Sequence, residues 1–184
     1  MACSDVISPS DGLDEWYKLP DLLDYWNRSV KNRSFMDPVS VYKKDGKPFT
    51  TIWFARSVCA SSWQMFHFAQ ILLPTSCPTQ DCSCLVAFRR IEVCRSAITS
   101  SQLELSHRYG NLLYHARQIC GIAQSKPHGS CRVNSIQPNY YAGCCFSNDD
   151  EREAAIMLLE DIENDLGWAA KYRAWDLRKL YTDI

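Results

Sequence analysis

The feature that most constrains this chain is the stretch from Phe49 to Leu73, which is apolar in nearly every direction and ends at Pro74. Ile52, Ala55, Cys59, Ser62, Phe66, Ala69 and Leu73 recur at helical spacing, and Trp53, Phe54, Val58, Trp63, Met65 and Phe68 fill the other faces. The length would suit a membrane span. Arg56, Gln64, His67 and Gln70 argue against one, because polar groups in lipid are costly. An all-round apolar helix in a soluble protein is a central one and must be covered on every side. The stretch therefore predicts one long buried helix.

The remaining segments read as shorter helices around it. Trp16, Leu19, Leu23, Trp26 and Val30 mark one face of a helix with Pro20 in its first turn, or else two short pieces. Residues 1–12 carry no pattern and are expected to be disordered. Residues 32–48 hold Pro38, Asp45-Gly46, Pro48 and three lysines, and read as a solvated loop. Leu85, Phe88, Ile91 and Ile98 predict a third helix, and Leu105 to Ile122 a fourth, with Tyr109, Leu112, Leu113, Ala116, Ile119 and Cys120 inside. Pro138 suits the first turn of a fifth helix through Cys145.

The sixth helix has the clearest ends. Asn148 and Glu151 have the spacing of a capping box, and Gly167 suits a left-handed C-terminal cap. Its expected buried face is Ala155, Leu158, Leu159, Ile162 and Leu166. A seventh helix is expected to turn Trp168, Tyr172, Trp175 and Leu180 inward and Lys171, Arg173, Arg178 and Lys179 outward. No run alternates with period two for long enough to predict a strand. The expected fold is all-α, an irregular array of about seven helices.

Charge and cysteine use narrow the function. Twenty basic and 21 acidic residues leave a net charge of −1. Nucleic-acid binders usually carry a strong basic excess, because neutralised phosphates supply much of their affinity. Ten cysteines in 184 residues, with no basic and apolar leader in the first dozen, predict free thiols in a reducing compartment. The sequons at Asn27 and Asn32 are then chance matches.

Candidate chemistry is thin. Cys77, Cys82, Cys84 and Cys94 match no paired zinc spacing, and Cys144 and Cys145 are adjacent. Cys59, Cys94 and Cys120 fall on or beside apolar stripes and read as small core residues. Glu104 and His107 have the spacing of half a di-iron site without its second half. Cys120 and His115 are five apart on one helix, poorly aligned for a nucleophile–base pair. Asp149, Asp150 and Glu153 resemble the aspartate-rich magnesium box of terpenoid synthases, yet acids are expected at a helix N-terminus anyway. No phosphate loop or serine-nucleophile motif occurs. The residues thus supply no catalytic, cofactor, metal or DNA-binding assignment. A small magnesium-dependent enzyme or a stand-alone helical interaction module stays as the alternative.

Three stretches carry a resemblance: Asn111 to Ala123, with its Ile-Cys-Gly-Ile ending; Arg132 to Gly143, with Ser135-Ile-Gln-Pro; and Asp150 to Leu177, with the Gly167-Trp168-Ala169 corner. Together with Trp16 to Trp26 and Phe49 to Leu73, they resemble the C-terminal part of the regulatory domain of fungal-specific transcription factors of the binuclear zinc-cluster family. The similarity spans about residues 13–182. Ala170 stands where that family often has Thr, and its six-cysteine DNA-binding cluster has no counterpart here. The resemblance implies a partial α-helical regulatory domain over 13–184, a fragment or truncated form of a transcription regulator. It implies a nuclear location, with cytoplasm as the alternative, and partners that are proteins or the rest of a longer factor. Direct DNA binding, membranes and cofactors are not expected. An incomplete cover over the Phe49–Leu73 helix would favour self-association.

Overall fold

The computed structural model describes the backbone of residues 9–31, 33–75 and 102–182, and the side chains of 15–31, 33–75 and 110–182. The helices are α1 (Pro9–Lys31), α2 (Ser57–Thr75), α3 (Gln102–Gln124), α4 (Gly129–Asn134), α5 (Ile136–Cys144), α6 (Asp149–Leu166) and α7 (Lys171–Thr182). A 3-10 turn at Ser34–Met36 and two strands, β1 (Ser40–Lys43) and β2 (Thr50–Trp53), lie between α1 and α2. The class is all-α, as the periodicity predicts. The helix expected around Leu85 to Ile98 lies outside the described residues.

The Phe49–Leu73 stretch is not one helix. Its first residues form β2, which pairs antiparallel with β1 in the register Val41↔Ile52 and Tyr42↔Thr51. The turn chemistry at Asp45-Gly46 is that of a hairpin: Gly46 takes φ +72°, which a residue with a Cβ rarely adopts. The β-branched run Thr50-Thr51-Ile52 favours an extended chain. The remaining helix, α2, is also not covered all round, since Val58 and Met65 face solvent.

The centre of the described structure is α3. Ala116 and the consecutive residues Ile119 to Ala123 are all buried. The helix packs against α2, α5, α6 and β2. Close approach of β2 depends on Gly121, whose hypothetical Cβ would collide with the carbonyl oxygen of Thr50 and press on Ile52. Gln124 fastens the same strand by donating to the Phe49 carbonyl at 3.2 Å and to the Thr51 hydroxyl. Phe49, pinned there, tilts against Phe146 at 5.2 Å between ring centroids.

Helix α1 begins at Pro9, inside the stretch 1–12 expected to be disordered, so Pro20 falls in its interior and not in its first turn. A proline there deprives the carbonyl four residues earlier, that of Trp16, of its N–H partner. Pro20 is exposed, where water can serve the freed carbonyl. Of the expected apolar face, Val30 is buried, Trp16, Leu23 and Trp26 are half-buried, and Leu19 is exposed.

The last two helices need a further correction. Asn148 caps α6 as expected, its side chain accepting from the Asp150 and Glu151 N–H groups. Gly167 takes the left-handed conformation with φ 72°. Trp168, however, is 59% exposed and Trp175 61% exposed, not anchors. The buried positions are Ala170, Ala174 and Leu177. Helix α7 lies close on α5 because small residues meet there: a Cβ on Gly143 would strike the Leu177 side chain. Tyr181 enters at the end of this contact, its hydroxyl donating to the Gly143 carbonyl at 2.8 Å, whereas Tyr172 and Trp175 lie on the exposed side of the helix. What fixes the corner is Glu163, whose Oε2 accepts from the N–H groups of Ala170 and Lys171, each at 2.8 Å.

Two predictions follow from these contacts. Gly121→Ala should destabilise by about 1–3 kcal/mol through overpacking, while exposed Gly110→Ala, with open space around it, should stabilise by roughly 0.5–1 kcal/mol. At the corner, Gly167→Ala should cost about 1–2 kcal/mol and Trp168→Ala no more than about 0.5 kcal/mol, as for other exposed positions. Denaturant melts of the four variants test both orderings.

Candidate functional site

The sequence motifs do not converge. Asp149, Asp150 and Glu153 sit exposed near the start of α6, and Asp149 lies 3.6 Å from Arg152. The acid between them turns inward instead. Glu151 is buried and takes both branches of the Arg117 guanidinium from α3, with Nε at 2.7 Å and Nη2 at 3.4 Å. The spacing that suggests a capping box therefore yields a cap from Asn148 alone, and Glu151 serves as a strut between α3 and α6. Among the described residues no three His, Cys, Asp or Glu side chains gather to hold a metal ion. No helix among them is long and apolar enough to cross a membrane. Cys77, Cys82, Cys84 and Cys94 lie outside the described residues, as do the side chains of Glu104 and His107.

Burial disfavours the thiolate at four of the described cysteines. Burial pushes the Cys120 thiol well above its ordinary range and raises Cys144 to about 12. Burial raises Cys145 and Cys131 too. A thiol held protonated neither attacks nor ligates.

The arrangement that sequence reasoning missed joins α2 to α3. His115 turns away from Cys120 and meets His67, with Nδ1 to Nδ1 at 2.8 Å. The ring centroids are 5.1 Å apart. At that separation the two nitrogens face one another head-on, the alignment of an N–H donating to a lone pair. A chelate would need the two lone pairs to converge on a third point. One ring must carry its proton on Nδ1 and the other on Nε2. Trp63 stacks on His67, and Phe66 and Tyr114 close the cluster edge-on. Burial lowers His67 to about 3, with the neighbouring His115 adding to the effect, and burial lowers His115 to about 4. Both rings are neutral at pH 7, so the pair is a polar link within an aromatic layer. His67 lies among the apolar residues of α2, where a lone histidine gives no hint of its partner 48 residues away.

A second polar cluster ties the loop after α3 to the end of α6. Lys126 reaches Asp161 at 3.2 Å and Asp165 at 3.1 Å. The buried Arg132 meets Asp165 at 3.0 Å and donates to the Asp161 carbonyl. Hydrogen bonds from Lys126 and Arg132 hold the Asp165 carboxyl below its ordinary range. Both acids are paired to these neighbouring bases. A shallow groove of about 390 Å³ lies nearby, lined by Val133, Leu166 and the exposed Trp168. Two more flank α1, of about 290 Å³ on the Leu19 and Leu72 side and about 470 Å³ on the Val58 and Met65 side. Apolar walls dominate all three, and none brings together the groups of a catalytic centre.

The chain is 33% identical over 130 residues, 70% of its length, to the transcription activator AMTR1 of Alternaria alternata. It spans only 16% of that protein. No protein-family model and no solved structure matches the chain. The similarity places the chain in relation to a fungal transcription factor.

The histidine pair predicts a pH dependence. Both folded-state values lie below the ordinary 6.5, so the unfolded chain takes up protons that the folded one refuses. Stability from this source is complete above about pH 6.5 and declines as pH falls toward 4 and then 3. Denaturant titrations at stepped pH should show that decline, and a His67→Leu/His115→Leu variant should flatten it.

Proposed function

We propose that this chain is an α-helical regulatory region of a fungal transcription regulator of the binuclear zinc-cluster kind, acting in the nucleus through protein contacts. DNA recognition in this reading belongs to a segment or partner other than residues 1–184. The observation that carries it is the 33% identity to a transcription activator over 130 residues. The charge distribution supports it: residues 149–184 hold ten acids and five bases, which repel phosphate. The surface chemistry agrees, with apolar grooves beside α1 and at Trp168 in place of a catalytic constellation.

The test joins the chain to an unrelated DNA-binding module that has a reporter promoter of its own. Expression in a fungal cell should change reporter output relative to the module alone. The unfused chain in a low-salt gel shift should show no sequence-selective binding tighter than about micromolar. A fusion indistinguishable from the bare module would count against the regulatory role. Selective DNA binding by the unfused chain would refute the division of labour.

A further inference from the structure

Helix α1 meets α2 along a single ridge. Among its described side chains, those of residues 15–31, Val30 alone is buried, and Trp16, Leu23 and Trp26 are half-buried. Trp26 stacks on Phe66 at 5.2 Å and meets Trp63 edge-on at 5.4 Å between ring centroids. A groove runs along each flank of this contact, one reaching Val58 and Met65 and the other Leu72 and Leu73, and Leu23 borders both. The ion pairs Lys18–Glu15 and Arg28–Asp24 close within the helix, so neither is lost if the helix leaves α2. The chain that follows is fastened differently. The Phe35 carbonyl accepts from the Cys59 thiol at 3.3 Å, and the Met36 carbonyl from the Trp63 indole N–H at 2.7 Å. Both contacts are made to α2 and neither involves α1.

We propose that α1 is a hinged strap, which opens from α2 as one unit, pivoting ahead of Phe35, and so covers or uncovers the aromatic face formed by Trp63 and Phe66. Elements with few buried apolar contacts open at a lower free energy than the whole molecule unfolds. Pro20 weakens α1 further, since it leaves the Trp16 carbonyl without its helical donor. It also divides the helix into two runs shorter than the roughly 12–15 residues below which an isolated helix is marginal in water. Once off α2, the strap has little to keep it helical, which favours opening over a rigid swing. The body left behind has links of its own. Gln64 donates to the Ile119 carbonyl and His67 meets His115, so α2 stays joined to α3 without α1. The strap does not depend on the role in transcription.

Native-state hydrogen exchange of the full chain, followed by mass spectrometry, tests it. Amides of residues 16–30 should be at least roughly tenfold less protected than those of residues 119–123, because they exchange without global unfolding. Trp26→Ala should lower the protection of α1 by roughly tenfold or more and leave that of residues 119–123 unchanged. Pro20→Ala restores a donor to the Trp16 carbonyl and should raise the protection of α1 by roughly tenfold or more, again without effect on residues 119–123. Because this second variant adds stability, it decides the matter should Trp26→Ala fail to fold. Equal protection of α1 and of residues 119–123 in the wild type would overturn the proposal. So would a substitution that moves both regions together, or α1 amides indifferent to both substitutions.

Discussion

The structure depends on how closely α3 lets its neighbours approach. Ala116, Gly121 and Ala123 give it a thin profile, and α2, α5, α6 and β2 all pack on it. At Gly121 the hairpin comes so near that a single methyl group would strike the Thr50 carbonyl. Dense interiors tolerate such a change poorly because neighbours relax only partly. The same device recurs between α5 and α7, where Gly143 admits the Leu177 side chain. Small residues at two crossings thus decide which larger residues can be inside.

Polar groups then fix the relative positions of the packed helices. Gln64 is fully buried and donates to the Ile119 carbonyl at 3.3 Å. His67 and His115 make a second link between the same two helices. Arg117 and Glu151 join α3 to α6, and Lys126 and Arg132 join the α3–α4 region to the far end of α6. A buried polar side chain that loses its partner costs more than a surface one. These links therefore specify one arrangement among the several that apolar packing alone would permit. Asn139 keeps a buried Oδ1 with no partner among the described residues, and its Nδ2 donates to Ser135.

The described side chains are organised around links between helices. The buried His67 is neutral at pH 7, the buried Glu151 is paired with Arg117, and the buried Arg132 with Asp165. Apolar side chains are exposed on α1, on the hairpin and at Trp168. Such surfaces recognise other proteins by shape and sign. Similarity to a transcription activator is consistent with that use.

By itself the sequence determined what local physics controls. The ends of α6 were legible because Asn148 and Gly167 act on their own backbone neighbours. The all-α class and the course of α3 followed from apolar periodicity, which requires no partner to read. The hairpin was legible in principle from Asp45-Gly46 beside a β-branched run, but the apolar continuity of Phe49 to Leu73 masked it. Tertiary structure alone decided the rest. Whether Trp168 and Trp175 are inside depends on the space between α5 and α7, set by Gly143 and Ala174 and not by the aromatics themselves. The partner of His67 lies on another helix, and no pattern within α2 points to it. Glu151 caps nothing because Arg117 is within reach. Hydrophobicity is a property of the residue, whereas burial belongs to the gap that other residues leave, and that gap exists only once the helices have met.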